Sequence, residues 1–296
     1  MRNKEESPSG YGTRLESVRE KSLAGSSPAS SARMLSHRIR DSIVSRKEYT
    51  RRVPPPPPMR IIFLNIAYGR SGKALLDFVK TNAANTDVFC FQEADIRTCN
   101  QIKKILPGFA LFQSHKNVPG IGLYSLASFF KKDLLCKKEK DVLDGDTSVG
   151  VADMFRLSFG LNDLHISNIH GISQPGDKKD NPARIRQTEQ IINNNSKMNG
   201  PRIIGGDFNL LPDTRSIKMF EDRGYLNLIK KNKIKTTRNA HAWIQAKEMV
   251  ADGYRFYGEQ HYADYVFVSK DIKVKNFEVP NIEISDHLPL ILDFEI

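Results

Sequence analysis

The chain has 296 residues, 39% of them hydrophobic, which suits one large buried core or two small ones. No run of about 18 apolar residues occurs, and the N-terminus carries charges where an export signal needs an apolar stretch, so neither a membrane span nor a secretory leader is read and a cytoplasmic location is expected. The net charge of +11 is unevenly spread: residues 1 to 58 hold 12 Lys/Arg against 6 Asp/Glu, leaving 33 against 28, or +5, for the remainder, a body as compatible with nucleic acid or phosphoinositides as with no anionic partner.

The first 58 residues contain 11 serines and neither Phe nor Trp, and they end in "RRVPPPPP". Such a segment cannot bury enough apolar surface to order itself, and its proline run reads as a stiff spacer in preference to a ligand for a proline-binding domain. A disordered tail is expected, or the product of an upstream start codon, because the next segment opens on Met59. From there "MRIIFLNIA" reads as a buried strand, "GKALLDFVKTN" as an amphipathic helix, "DVFCFQEAD" as a second buried strand and "IRTCNQIKKIL" as a second helix. "GFALFQS", "IGLYSLASFF", "ADMFRLSFG" and "DLHISNIHG" follow as strands, the last two with hairpin-like alternation. A helix from about Ala183 to Asn194 leads into "PRIIGGDFN", a short helix covers Arg215 to Glu221, and "HYADYVFVS", "DIKVKNFEVP" and "DHLPLILDFEI" close the chain as strands. Helices mixed with many paired strands predict an α/β sandwich of two sheets over residues 59 to 296, without an internal repeat although the element order of the two halves is loosely similar. Cys90, Cys99 and Cys136 lack zinc-like spacing and read as reduced, structural thiols.

Several strands break off into polar residues that a core would not favour. Asn65 interrupts the first, Gln92 and Glu93 end the second, Asn168 and His170 end "HISNIH", Asp207 and Asn209 follow "RIIGG", Asp264 opens "DYVFV", and Asp286 and His287 precede "LPLIL". Strand ends are where α/β proteins tend to place their sites. If these ends converge, Glu93, Asp207 and Asp286 crowd three carboxylates together, a conflict that a hard divalent cation resolves, and an all-oxygen donor set suits magnesium or manganese better than zinc. Gly205 and Gly206 would permit a close backbone approach and a sharp turn, leaving Asp207 facing metal and water and Asn209 aiming a donor at a developing oxyanion. Singly, each feature has a bland explanation: "GGDFN" as a turn with an Asx cap, "SDH" as a capped turn, His170 as a hydrogen-bonded loop histidine. Their weight lies in occurring together, each at the end of an apolar strand.

In that order, "LN", "QE", "NIHG", "GDFN", "ADYVFVS" and "SDHLPL" resemble the endonuclease/exonuclease/phosphatase superfamily across residues 59 to 296. The resemblance implies a four-layer α/β sandwich with two packed mixed sheets flanked by helices. It further implies a magnesium-dependent (or manganese-dependent) phosphoesterase that hydrolyses a phosphodiester by in-line attack of water, an endonuclease or exonuclease. By the same resemblance, Glu93 ligates the principal metal with Asn65 beside it and Asp286 completes the metal environment. Asp207 orients or deprotonates the attacking water, Asn209 holds the phosphate, and His287 meets the scissile phosphate, oriented by Asp264. His170 stands where abasic-site endonucleases tend to have tyrosine, which lowers that assignment and leaves His170 to assist the leaving oxygen. The expected partner is a phosphodiester, with DNA and RNA among the candidates, and the chain is expected to act as a monomer. A phosphomonoesterase, a lipid or small-molecule phosphodiesterase, and a non-catalytic binding module on the same fold are the alternatives.

Substrate choice leaves a fainter trace. "KKNKIKTTR", Lys230 to Arg238, holds five basic residues just before Trp243, the only tryptophan, and could track a nucleic-acid backbone, but a solvated loop beside a core tryptophan is the preferred reading. Tyr254, Phe256 and Tyr257 could line a pocket or simply pack. His241 and His261 have no evident partner, and His37 lies in the tail.

Overall fold

The computed structural model describes residues 58–159, 162–253 and 255–296. The expectations for residues 1–57, including most of the proline run and His37, and for Tyr254 fall outside them. The chain runs β1 (Met59–Asn65), α1 (Lys73–Asn82), β2 (Val88–Gln92), α2 (Ile96–Ile105), β3 (Phe109–Val118), β4 (Gly122–Lys131), β5 (Cys136–Asp141), β6 (Val151–Phe159), β7 (Asn162–His170), α3 (Pro182–Ser196) and β8 (Arg202–Asp207). It continues through α4 (Arg215–Asp222), β9 (Leu226–Asn227), α5 (Leu228–Lys231), α6 (Ala240–Glu248), β10 (Asp264–Val268), β11 (Lys273–Glu278) and β12 (Leu290–Glu295).

Two six-stranded mixed sheets result, ordered β11-β12-β1-β2-β4-β3 and β5-β6-β7-β8-β10-β9. The loose similarity of the halves has a structural counterpart. Each sheet is built around one parallel pair, β1/β2 or β7/β8, flanked on both sides by antiparallel strands. The period-2 alternation of β1 and β2 divides the core into layers. Ile61, Phe63, Val88 and Cys90 face the other sheet, while Ile62, Leu64, Phe89 and Phe91 face Leu75, Val79, Cys99 and Ile102 of α1 and α2. On the opposite side α4 lays Phe220 flat against Phe267 at a centroid separation of 4.3 Å. Helices, sheet, sheet, helices: the fold is the four-layer sandwich.

Gly205 and Gly206 lie within β8, not in a turn after it. A Cβ on Gly205 would sit 2.7 Å from the Phe63 ring of the facing sheet, so that glycine sets how closely the sheets approach. Gly206 has φ +130°, a conformation reserved for glycine, and a Cβ there would meet the Ile169 carbonyl oxygen at 2.2 Å. The two glycines thus act through close packing of β8 against its neighbours.

Four elements carry too weak a pattern to be read in advance. The edge strand β5, "CKKEKD", has almost no apolar residues and is a strand because β6 pairs with it. The strand β9 has two residues, α5 has four, and α6 lacks a clear apolar stripe. Cys90 and Cys99 are buried, Cys136 is half-buried, and all three are free thiols. No helix among the described residues is long and apolar enough to cross a membrane.

Candidate active site

Topology alone sends the polar strand ends to one place. Parallel pairing aligns the ends of β1 and β2, delivering Asn65 and Glu93, and aligns β7 with β8 so that His170 stands opposite Asp207. Antiparallel β10 begins where β8 ends, which sets Asp264 opposite Asp207 from the other side. Asp286 and His287 lie in the loop that enters β12, beside the end of β1. Beneath the site, Gln92 donates to Asn168 Oδ1 at 2.6 Å across the two sheets, so these two polar strand-end residues are structural bolts and not site groups.

The Asn65 amide donates to Glu93 Oε1 (3.2 Å) and to Asp207 Oδ2 (3.0 Å), joining a carboxylate from each sheet. His170 Nε2 lies 3.7 Å from Glu93 Oε1 and 4.0 Å from Asp207 Oδ2. His287 Nε2 lies 3.8 Å from Asp207 Oδ2 and 3.7 Å from Asp286 Oδ2. Its Nδ1 is held by Asp264 at 2.9 Å, and the Asp264 backbone N–H donates to Thr237 Oγ1. Glu93, Asp207, Asn209, Asp286 and His287 line one cleft of about 340 Å³ together with Lys178 and Arg238. Every residue singled out from the sequence for this site is therefore in one neighbourhood.

The electrostatics separate the two histidines. Burial pulls the His170 imidazole below its ordinary value despite Asp207 and Glu93, so it is neutral at physiological pH. Burial acts on His287 in the same direction, but the carboxylates of Asp264, Asp286 and Asp207 outweigh it and raise His287 to about 9, leaving an imidazolium paired with Asp264. Burial pushes Asp207 up, yet His287, His170 and Lys178 together hold it below the usual carboxylate range. Asp286 is held at about 2: burial opposes this, and His287 and the Arg238 guanidinium, 2.7 Å away, prevail.

Glu93, Asp207 and Asp286 line the cleft with carboxylate oxygens, the donors a hard divalent cation takes, whereas Asn65 turns its amide nitrogen to the first two and its oxygen accepts from the Ala67 N–H (3.0 Å), so it orients these carboxylates and, against expectation, offers a cation no oxygen. Asp207, Asp264 and His287 also bring one potential ligand atom each within 4.8 Å of one another. Within that trio His287 Nδ1 is already engaged by Asp264 at 2.9 Å. Backbone strain concentrates in the same cleft. Of the six described non-glycine residues with positive φ, Ala67, Glu93, Lys178 and Asn209 line it, a clustering typical of functional sites.

Sequence reasoning does not reach three residues that shape the site. Arg184, fully buried on α3, donates to Asp177 Oδ1 (3.0 Å) and to the carbonyl oxygens of Lys179 (2.6 Å), Ser173 (3.3 Å) and Pro175, clamping the loop that follows β7. Gln187, one turn on, accepts from the N–H groups of Gly150 (3.1 Å) and Ile172 (3.0 Å). Lys178, carried by that clamped loop, is 6% exposed and points its ammonium at Asn209 Oδ1, 2.6 Å away; burial, then Arg238 and Arg184, bring it down to about 8 against the opposing carboxylates of Asp207 and Asp264. The available signal is the spacing of α3, where Arg184 and Gln187 share the inward face with Ile191, positions that a simple amphipathic helix fills with apolar side chains.

The basic loop is solvated for most of its length, apart from buried Thr237 and from Arg238, which reaches Asp286 in the cleft. Trp243 differs from expectation: it is half-buried and lines the cleft with Phe256 and Tyr257, its edge contact being His261 at 5.0 Å between centroids. His241 is exposed beside Glu283.

A family model described as the Endonuclease/Exonuclease/phosphatase family matches residues 62–287. No curated protein sequence matches the chain. Among solved structures, an endonuclease/exonuclease/phosphatase family protein from Bacteroides thetaiotaomicron is 18% identical with a TM-score of 0.61, covering 81% of this chain and 98% of that one. A mannosyl-6-phosphatase from the same organism is 17% identical with a TM-score of 0.59, covering 80% of this chain and 99% of that one. D. rerio TDP2, solved with a single-strand DNA product, is 14% identical with a TM-score of 0.58, covering 81% and 100%. At these identities the likeness is one of fold.

Proposed function

The chain belongs to the endonuclease/exonuclease/phosphatase family, whose members hydrolyse phosphoester bonds, and on that premise we propose that it is a metal-dependent phosphodiesterase cleaving nucleic-acid strands by in-line attack of water on phosphorus. The observation that carries the reading is the meeting of Glu93, Asp207, Asn209, Asp286 and His287 in one cleft, with His287 Nδ1 held by Asp264 at 2.9 Å. Glu93, Asp207 and Asp286 would hold magnesium or manganese, with Asn65 orienting the first two carboxylates through its amide N–H groups, and the ion when bound would offset negative charge on the phosphate and acidify water.

The chain's own groups divide the remaining work. Asp207, an ionised carboxylate, orients the attacking water and accepts its proton. The His287 imidazolium donates its Nε2–H to a non-bridging phosphate oxygen, and Asp264 fixes the ring orientation through Nδ1. Neutral His170 donates a hydrogen bond to the leaving oxygen. Asn209 Nδ2 has one N–H on the Gly171 carbonyl (3.1 Å), leaving a second for the phosphate. Nucleic acid is favoured as the substrate by Arg70, Arg238 and Arg255 lining the cleft beside Trp243, Phe256 and Tyr257, cations and rings that suit a phosphate chain and stacked bases. A phosphomonoester is the second reading, favoured by the additional buried cation Lys178, because a dianionic phosphate calls for more positive charge.

The test is hydrolysis of bis(p-nitrophenyl) phosphate and of p-nitrophenyl phosphate, alongside nicking of supercoiled plasmid, with magnesium or manganese, for the wild type and Asp207→Ala. Metal-dependent nicking lost in the variant supports the nuclease reading. Turnover of the small diester alone redirects it to lipid or small-molecule phosphodiesters, and turnover of the monoester alone selects the second reading. Silence from a folded protein on every substrate removes the diesterase reading and leaves a binding module or a narrowly specific phosphatase.

A further inference from the structure

We propose that Lys178 is a phosphate-binding residue of the cleft, its ammonium grasping a non-bridging oxygen of the substrate's phosphate next to Asn209. This rests on the phosphoesterase reading for the substrate's identity, but the anion site itself can be tested without turnover.

Lys178 is 6% exposed, and among the described residues its ammonium forms no ion pair; its hydrogen bond goes to a neutral amide oxygen, Asn209 Oδ1, at 2.6 Å. A buried cation whose nearest carboxylates, Asp207 and Asp264, act on it only from beyond ion-pair distance is costly, and such a group persists where an anion arrives to complete it. Lys178 lines the same cleft as Asp207, Asn209 and His287, so its missing partner would occupy the place where a phosphate must sit for Asp207 to direct water at it.

The surroundings are built to hold the side chain there. The Lys178 backbone adopts φ +54°, its carbonyl accepts from Leu211 N–H at 2.9 Å, and the preceding Asp177 is tied to buried Arg184 at 3.0 Å. The loop cannot readily swing the ammonium into solvent without breaking these bonds. Donor accounting points the same way. The Asn209 backbone N–H is engaged with Asp207 Oδ1 (2.9 Å), Nδ2 with the Gly171 carbonyl and Oδ1 with Lys178, so the amide retains one N–H for a ligand. The ammonium, with three N–H donors and one engaged, retains two and adds a full charge.

The full-length protein, with and without magnesium, is titrated with sodium orthophosphate by calorimetry and thermal melting. The wild type should bind and be stabilised. Lys178→Met should bind about 10- to 150-fold more weakly, the loss expected for one charged hydrogen bond, while Lys178→Arg should keep most of the affinity. Lys178→Gln retains a donor for Asn209 and removes only the charge, so it serves if the methionine variant fails to fold, and it should lose binding likewise. Orthophosphate binding unchanged in Lys178→Gln or Lys178→Met, or absent from the wild type, overturns the proposal. If orthophosphate binding depends on Lys178 but no phosphoester is turned over, the anion site stands and the hydrolase reading falls. If the wild type hydrolyses bis(p-nitrophenyl) phosphate and the variants match its kcat and KM, the hydrolase reading stands and the role of Lys178 falls.

Discussion

Replacing Asp264 by Asn keeps the size of the side chain and removes the charge that contributes most to holding His287 protonated. The rise of His287 from 6.5 to about 9, at about 1.36 kcal/mol per pH unit, corresponds to about 3 kcal/mol of folded-state preference for the imidazolium. Asp286 and Asp207 supply the smaller shares, and burial holds the Asp264 carboxyl itself above its ordinary value, a cost that Asn relieves, so the substitution should forfeit at most about 2 kcal/mol. The sign follows from the direction of the shift. A folded pKa above the unfolded one gives stability that is complete below 6.5 and is lost as pH rises through about 9. Urea unfolding of wild type and Asp264→Asn from about pH 6 to about pH 10 should therefore show a stability gap widest at the acid end and closing towards the alkaline end. A gap that stays constant or widens with pH would show that His287 is not protonated in the fold, and would remove the imidazolium from the proposed chemistry.

Three further outcomes are expected. Gly206→Ala should destabilise by more than about 3 kcal/mol, because its Cβ meets the Ile169 carbonyl at 2.2 Å in a conformation disfavoured for alanine, while Gly205→Ala, pressing on the Phe63 ring, should cost about 1–3 kcal/mol in the same denaturation assay. Arg184→Ala should cost about 3–5 kcal/mol by stranding Asp177 and the loop carbonyls, with protease cleavage in residues 172–179 rising below the melting temperature. Magnesium at roughly 100 times its dissociation constant should stabilise the protein by about 2.7 kcal/mol, and Glu93→Gln should abolish that increment; an undiminished increment would move the metal away from Glu93.

The continuous apolar runs along 59–65 and 88–92 are enough to predict two buried strands, because a strand facing helices on one side and a sheet on the other is apolar on both faces. The polar residues that interrupt such runs are costly in a core unless they serve a site, which is why Asn65, Glu93, His170, Asp207, Asp264, Asp286 and His287 could be gathered from sequence alone. What that pattern could not supply is whether each polar strand end joins the site or bolts the scaffold. Gln92 and Asn168 have the same signature as Glu93 and His170 and bond to each other beneath the site.

The sequence by itself determined the layers and the set of candidate groups, since periodicity and strand-end polarity are local properties that survive without knowledge of partners. Only the tertiary structure decided the pairings. The glycines of "IIGGD" are explained by Phe63, more than a hundred residues earlier in the chain, and by Ile169, not by a turn of their own. The edge strand "CKKEKD" exists because β6 offers it a ladder. Lys178 sits in a charged loop with no apolar context, and its burial comes from Arg184 and Leu211 fastening that loop against the cleft. Burial and electrostatic environment are sums over neighbours distant in sequence, so the opposite charge states of His170 and His287 belong to the packed molecule and not to either residue's place in the chain.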